Sequence, residues 1–153
     1  MTDWKAIKEM IYEQLLKIVD SKVEIAQKEL QAANESRNNE TKSTAGDKHE
    51  TGRAMIQLEI ERLGVQLSKA VSLKEKLAQI DIQQIRNKVE LGSLIITDQE
   101  NYFISIGHGK LVIDNEDYYC ISMASPIGEL LIDQEVGSSV IFRKKELTIQ
   151  EVA

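Results

Sequence analysis

The chain is poor in the residues that crosslink or interrupt a fold. It has one cysteine, Cys120, so no intramolecular disulfide can form and no clustered thiolate metal site is available. Its single proline, Pro126, leaves long stretches free to run as unbroken elements. Aromatic residues make up 5% of the chain, with two Phe and one Trp, too few to ring a proline pocket, which argues against a prolyl isomerase. Basic residues are in deficit as well. Lys and Arg number 19 against 25 Asp and Glu, and the formal net charge of −6 disfavours tight nonspecific binding to a phosphate backbone. A large protein with basic surfaces, or one that holds metal ions, is a better electrostatic match. No apolar run approaches membrane-spanning length, and no signal-peptide succession opens the chain, so a cytoplasmic protein without membrane contact is the expectation.

What the chain does have is a polar middle, Glu35 to Glu50, between two long segments of helical periodicity. In the first, Trp4, Ile7, Ile11, Leu15, Val19, Val23, Ala26, Leu30 and Ala33 recur at steps of three and four, which puts them on one side of a helix. Lys5, Lys8, Glu9, Glu13 and Lys17 lie between them as helix formers facing water. This predicts a helix from about Asp3 to Ser36, roughly 50 Å long. The stretch SRNNETKSTAGD favours caps and turns. The stripe then restarts after Asp47 with Ile56, Ile60, Leu63, Leu67, Ala70, Leu73, Leu77 and Ile80. Gly64 in this second arm either weakens it or marks close approach of two backbones. Matched lengths favour an antiparallel helical coiled-coil hairpin over residues 1–85 with a polar, acidic tip at 37–50, in a monomer. A parallel homodimer would use much the same seam.

From Val89 onward the period changes to that of strands. Leu94 to Ile96, the alternating Tyr102, Ile104 and Ile106, Leu111 to Ile113, Tyr118 to Met123, Val140 to Phe142 and Leu147 to Ile149 are short strands with polar turns between them. Ser125 and Pro126 start one small helix, as cap and first-turn residue. Residues 89–153 therefore form a small β-rich domain, read as an antiparallel half-open barrel or curled sheet, and the fold class is α+β.

Two motifs give this layout a family likeness. Ser125-Pro126-Ile127-Gly128 followed by Leu130, Leu131 and the later Gly137 resembles the SPIG or SPIA helix of the bacterial Gre-type transcript-cleavage and elongation factors. Gly46-Asp47-Lys48-His49-Glu50 resembles their tip sequence GDLKE, although Thr51-Gly52-Arg53-Ala54 stands where the family usually has NAEY. The resemblance implies an FKBP-like C-terminal domain that docks on RNA polymerase at its secondary channel, near Ser125, Pro126, Ile127, Gly128 and Leu131. It implies that Asp47 and Glu50 share a Mg²⁺ with the polymerase during cleavage of backtracked RNA. The factor itself would be no enzyme and would meet nucleic acid only within the elongation complex. A channel-occupying regulator without cleavage, or a general interaction or chaperone-like module, are the alternatives.

The residues also have plainer readings. Asp47 and Glu50 reproduce a capping box at the start of the second helix, which explains both without a metal. His49 and His108 read as solvated loop histidines, Trp4, Tyr118 and Tyr119 as packing residues, and Cys120 as a buried thiol.

Overall fold

The computed structural model describes residues 2–41 and 46–153, with the backbone alone at residues 40, 41 and 46–49. Two long helices come first, and a mixed β-sheet follows. Asp3 opens α1 (Trp4–Thr41): its carboxylate accepts from the Ala6 N–H at 3.1 Å and its carbonyl from the Ile7 N–H at 3.2 Å. The helix continues past Ser36 through Arg37, Asn38 and Asn39 to Thr41, where the sequence pattern predicts a turn. Extending a formed helix skips the nucleation cost, and Asn or Thr costs less than about 1 kcal/mol per residue. The second helix, α2 (Gly46–Ala78), begins close behind, so the interval between helices is shorter than the tip expected at 37–50.

The chain divides into two compact units, Lys17–Glu75 and Met1–Leu16 together with Lys76–Ala153. Within the first, Asp20 pairs with Lys74 at 2.8 Å. Lys22 and Glu29 share a groove with Gln66 and Leu73, and Arg37 shares a hollow with Arg53 and Gln57. Partner numbers fall as α1 advances, so the helices run antiparallel. Val19, Ala26, Leu63 and Ala70 are the buried seam, with Val23, Leu30, Ile60 and Leu67 half-buried. Gly64 is not a point of close approach: a Cβ placed there meets nothing within 4 Å.

The second unit is built on a six-stranded sheet: β1 (Leu94–Thr97), β2 (Asn101–Ile104), β3 (Gly109–Ile113), β4 (Glu116–Ile121), β5 (Ser139–Phe142) and β6 (Lys145–Val152). The strand order is β3-β4-β2-β1-β6-β5. All pairs are antiparallel except β2 with β4, which aligns Tyr102 with Tyr119 and Phe103 with Cys120 in parallel. The wholly antiparallel sheet expected from the short turns is therefore corrected to a mixed one. The cause is β3, which takes the edge and leaves β4 the slot beside β2.

One sheet face packs Ile95, Tyr102, Ile104, Leu147 and Ile149 against Ile127 and Leu131 of the short helix α3 (Pro126–Leu131). The other face carries Leu94, Phe103, Tyr118 and Cys120, all buried. Both faces of β1 and β2 are thus covered, and Phe103, which simple alternation would send to solvent, is 0% exposed.

The joint between α2 and β1 is organised by a charged side chain in a buried place. The Arg86 guanidinium donates to the carbonyls of Asp81 at 2.9 Å and Gln84 at 3.0 Å, and to the Glu90 carboxylate at 3.0 Å. Gly92 lies against it with φ 91°, and a Cβ there would come within 2.8 Å of Arg86 Nη2. Lys8, expected to face water, is 2% exposed and donates to the Gln84 carbonyl at 3.3 Å. Burial lowers its pKa, and the nearby Arg86 charge lowers it further.

Candidate functional site

The tip motif falls on the first turn of α2. The backbone of Gly46-Asp47-Lys48-His49-Glu50 is helical, which sets positions 47 and 50 three residues apart on one side of the helix. The side chains of Asp47 and His49 lie outside the described residues, so the acidic pair can be placed only at Glu50. Glu50 is exposed and lines a shallow hollow with Arg37, Arg53, Ala54 and Gln57. Two guanidinium-bearing residues therefore stand around this carboxylate. The site can offer an oxygen to a cation and N–H donors to a phosphate. Arg37 is a member that reading the motif alone misses. Its signal was the helix register, since in an antiparallel pair position 37 falls opposite positions 53 and 54.

Among the described residues no three His, Cys, Asp or Glu side chains come together as a metal set. Any cation held at Glu50 would need ligands beyond the described side chains.

The second motif builds α3. Ser125 is its N-cap: the hydroxyl accepts from the Gly128 N–H at 3.1 Å and donates to the Ser122 carbonyl at 2.7 Å. Pro126 occupies the first turn, where its missing N–H costs nothing. Ile127, Gly128 and Leu131 point inward and are buried. The five residues grouped by sequence as a docking patch thus divide by position. Pro126 is exposed and Ser125 half-exposed, and the other three carry the helix onto the core. The outward face of this region comprises Pro126, Glu129 and Leu130, with Met123 nearby at 43% exposure.

Other titratable side chains lie in the sheet and its turns. Burial pushes the Cys120 thiol up to about 12, a poor nucleophile at neutral pH. His108 is half-buried, and its backbone N–H bonds the carbonyls of Ile106 and Cys120. Burial raises the Tyr102 phenol well above its ordinary value, reinforced by the 2.7 Å bond it donates to Glu100.

No protein family and no curated protein matches this chain. A solved structure of the transcription factor Gfh1 is similar to it at 19% identity, covering 92% of each chain, with a TM-score of 0.36. A superposition that loose carries no argument about function.

Proposed function

We propose that this chain is an accessory factor of RNA polymerase that acts through its helix pair. In this reading residues 1–85 form an antiparallel coiled-coil hairpin that enters the polymerase's secondary channel. Residues 89–153 form an FKBP-like domain that docks through the outward side of α3, around Ser125, Pro126 and Leu130. Asp47 and Glu50 complete a Mg²⁺ site together with polymerase carboxylates, and the ion helps cleave backtracked RNA. The factor supplies no active site of its own.

One observation carries the reading: the GDKHE motif occupies the first turn of α2 in an antiparallel helix pair, with Glu50 exposed. Two carboxylate positions on one side of a helix start can share a cation that prefers oxygen ligands and retains water. A second reading, channel occupancy without cleavage, is favoured by Arg37 and Arg53 beside Glu50. Two cations there oppose the recruitment of a third.

The test uses the cognate polymerase in a backtracked elongation complex with Mg²⁺, scoring RNA cleavage and factor binding together. Asp47→Asn and Glu50→Gln should each abolish stimulated cleavage at unchanged affinity. The capping reading of Asp47 is corrected, because its backbone already lies inside the first turn of α2. A purely structural role there predicts no loss of cleavage for either variant. Tight binding by the wild type without added cleavage supports the occupancy reading. No binding to the polymerase at low salt refutes both.

A further inference from the structure

Around residues 2–7 the first turns of α1 approach the sheet face that bears Ile96, Ile113 and Tyr118, and a cleft remains open there. Trp4 and Ile7 form one wall, Ile113 and Tyr118 another, and Asp114 and Glu116 stand at the acidic end. A tight two-residue turn joins the strands at these acids. Asp114 and Asn115 take φ of 50° and 67°, the two-residue connection suited to the twist of the β3–β4 hairpin. Among the described residues neither Asp114 nor Glu116 has an ion-pair partner.

Tyr118 supplies an independent sign that something belongs in the cleft. It is 1% exposed, and among the described residues its hydroxyl makes no hydrogen bond. Buried phenols ordinarily find a partner. Burial raises its pKa, and Glu116 and Asp114 raise it further, which puts the hydroxyl within the field of both cleft carboxylates. An orphan acceptor beside two unpaired anions calls for a cationic donor.

We propose that this cleft binds an arginine side chain presented by a basic segment of a partner protein. The aliphatic stem lies along Ile7 and Ile113, the guanidinium pairs with Asp114 and Glu116 and stacks on Trp4, and the Tyr118 oxygen accepts one of its N–H groups. Arginine fits better than lysine because its planar head offers several donors at once and stacks on an indole. A divalent ion fits poorly, since no three metal-ligating side chains converge among the described residues and two walls are apolar. A second hollow, with Glu100, Asp117 and Tyr119, shares Gln99, Asn101 and Glu116 with the cleft. The acidic surface thus continues past one side chain, as a segment requires and a free amino acid does not. This proposal does not rest on the polymerase reading.

Trp4 is the only tryptophan, so its fluorescence reports on the cleft directly. The full-length protein is titrated with an acetylated and amidated Ser-Gly-Arg-Gly-Arg-Ser peptide, and with versions carrying lysine or citrulline in place of arginine. The arginine peptide should give a saturable change below about 1 mM, the lysine peptide a weaker one and the neutral citrulline peptide none. The double variant Asp114→Asn with Glu116→Gln should weaken binding about tenfold or more, as loss of a paired charge does. Tyr118→Phe keeps the ring and should bind severalfold more weakly with an unchanged circular dichroism spectrum. Absence of saturation by the arginine peptide at about 1 mM overturns the proposal. So do equal binding of the citrulline peptide, wild-type affinity in the acid double variant, or saturation by Mg²⁺ or Ca²⁺ that excludes the arginine peptide.

Discussion

Replacing Arg86 by methionine should destabilise the protein by about 2 kcal/mol. The guanidinium makes three well-formed bonds, to the Asp81 and Gln84 carbonyls and the Glu90 carboxylate, and a long one of 3.4 Å to the Gly92 carbonyl. Asp81, Gln84 and Glu90 are exposed, so water takes over much of what is lost and each bond counts at its net value of about 1 kcal/mol. Methionine keeps the unbranched stem in place. Removing the charge also relieves Lys8, whose pKa is lowered first by burial and next by Arg86, and this returns part of the loss. Alanine adds a cavity and should cost about 3–4 kcal/mol. In a chain of this size about 2 kcal/mol corresponds to a fall in Tm of about 4–8 °C, read by calorimetry at neutral pH. Hydrogen exchange should show lost protection at residues 82–92 before the sheet is affected. An unchanged or raised Tm for Arg86→Met would refute the reasoning. It would mean that the buried cation is a net cost, as buried charges can be, and that Ile80 and Val89 alone secure the joint.

Three further outcomes are expected. Gly64→Ala should raise stability by about 1 kcal/mol, because the new methyl meets nothing and helix propensity improves; a loss in chemical denaturation would show a backbone contact at this position. Gly128→Ala should cost about 2 kcal/mol or more, since its Cβ would collide with the Ser122 carbonyl and stand 2.8 Å from the capping Ser125 Oγ; Ser125→Ala should cost about 1 kcal/mol, and melts of equal midpoint to wild type would contradict both. Stability should also fall as pH climbs from about 9 toward 12. Tyr12, Tyr102, Tyr118 and Cys120 all have folded pKa values raised by burial, so the folded protein retains protons that the unfolded chain gives up above about 8.5 for thiol and 10 for phenol. Lys8, lowered on folding, works in the opposite direction but is one group against four. A Tm independent of pH across that range would count against the burial of these groups, as would rapid alkylation of Cys120 in the folded protein at pH 8.

Much of this arrangement is legible in the residues, and what is not has identifiable causes. The three-and-four stripe locates both helices, because a two-helix seam must repeat at that spacing. Ser125 and Pro126 announce α3, because cap and first-turn chemistry is local. Phe103 escapes the period-two pattern since β2 is covered on both faces, and coverage is a tertiary property. The parallel pairing of β2 with β4 is equally hidden: every turn looks like a hairpin turn, and nothing local says which strand will take the edge. Lys8 reads as solvent-facing because charge is usually solvated, and only the packed joint reveals its carbonyl partner and those of Arg86. At the candidate site the GDKHE motif is visible in the sequence, whereas Arg37 enters only through helix register. In the Ser125-Pro126-Ile127-Gly128 motif the conspicuous apolar letters are the ones the core consumes. The cleft between Trp4 and Tyr118 joins positions too far apart in the chain for any spacing rule to unite them.

The place of β6 in the sheet bears on how the protein comes to fold. β1 has β2 on one side and β6 on the other, and Thr97 is aligned with Ile149, about fifty residues later in the chain. Ala153 closes the same edge by exchanging backbone bonds with Leu94, at 2.8 and 3.0 Å. While the chain emerges from a ribosome, β1 and β2 can meet at once, and β3 and β4 can pair as a hairpin. β1 must nevertheless present an open edge until the final strand arrives. Only then do Leu147 and Ile149 reach the core and α3 gain its full support. The sheet is therefore completed last at the β1 edge, where β6 joins and brings β5 with it, so a nascent or truncated chain lacking residues 145–152 would expose a row of unpaired backbone groups flanked by Leu94, Ile95 and Ile96, a surface suited to capture by chaperones or to association with its own copies.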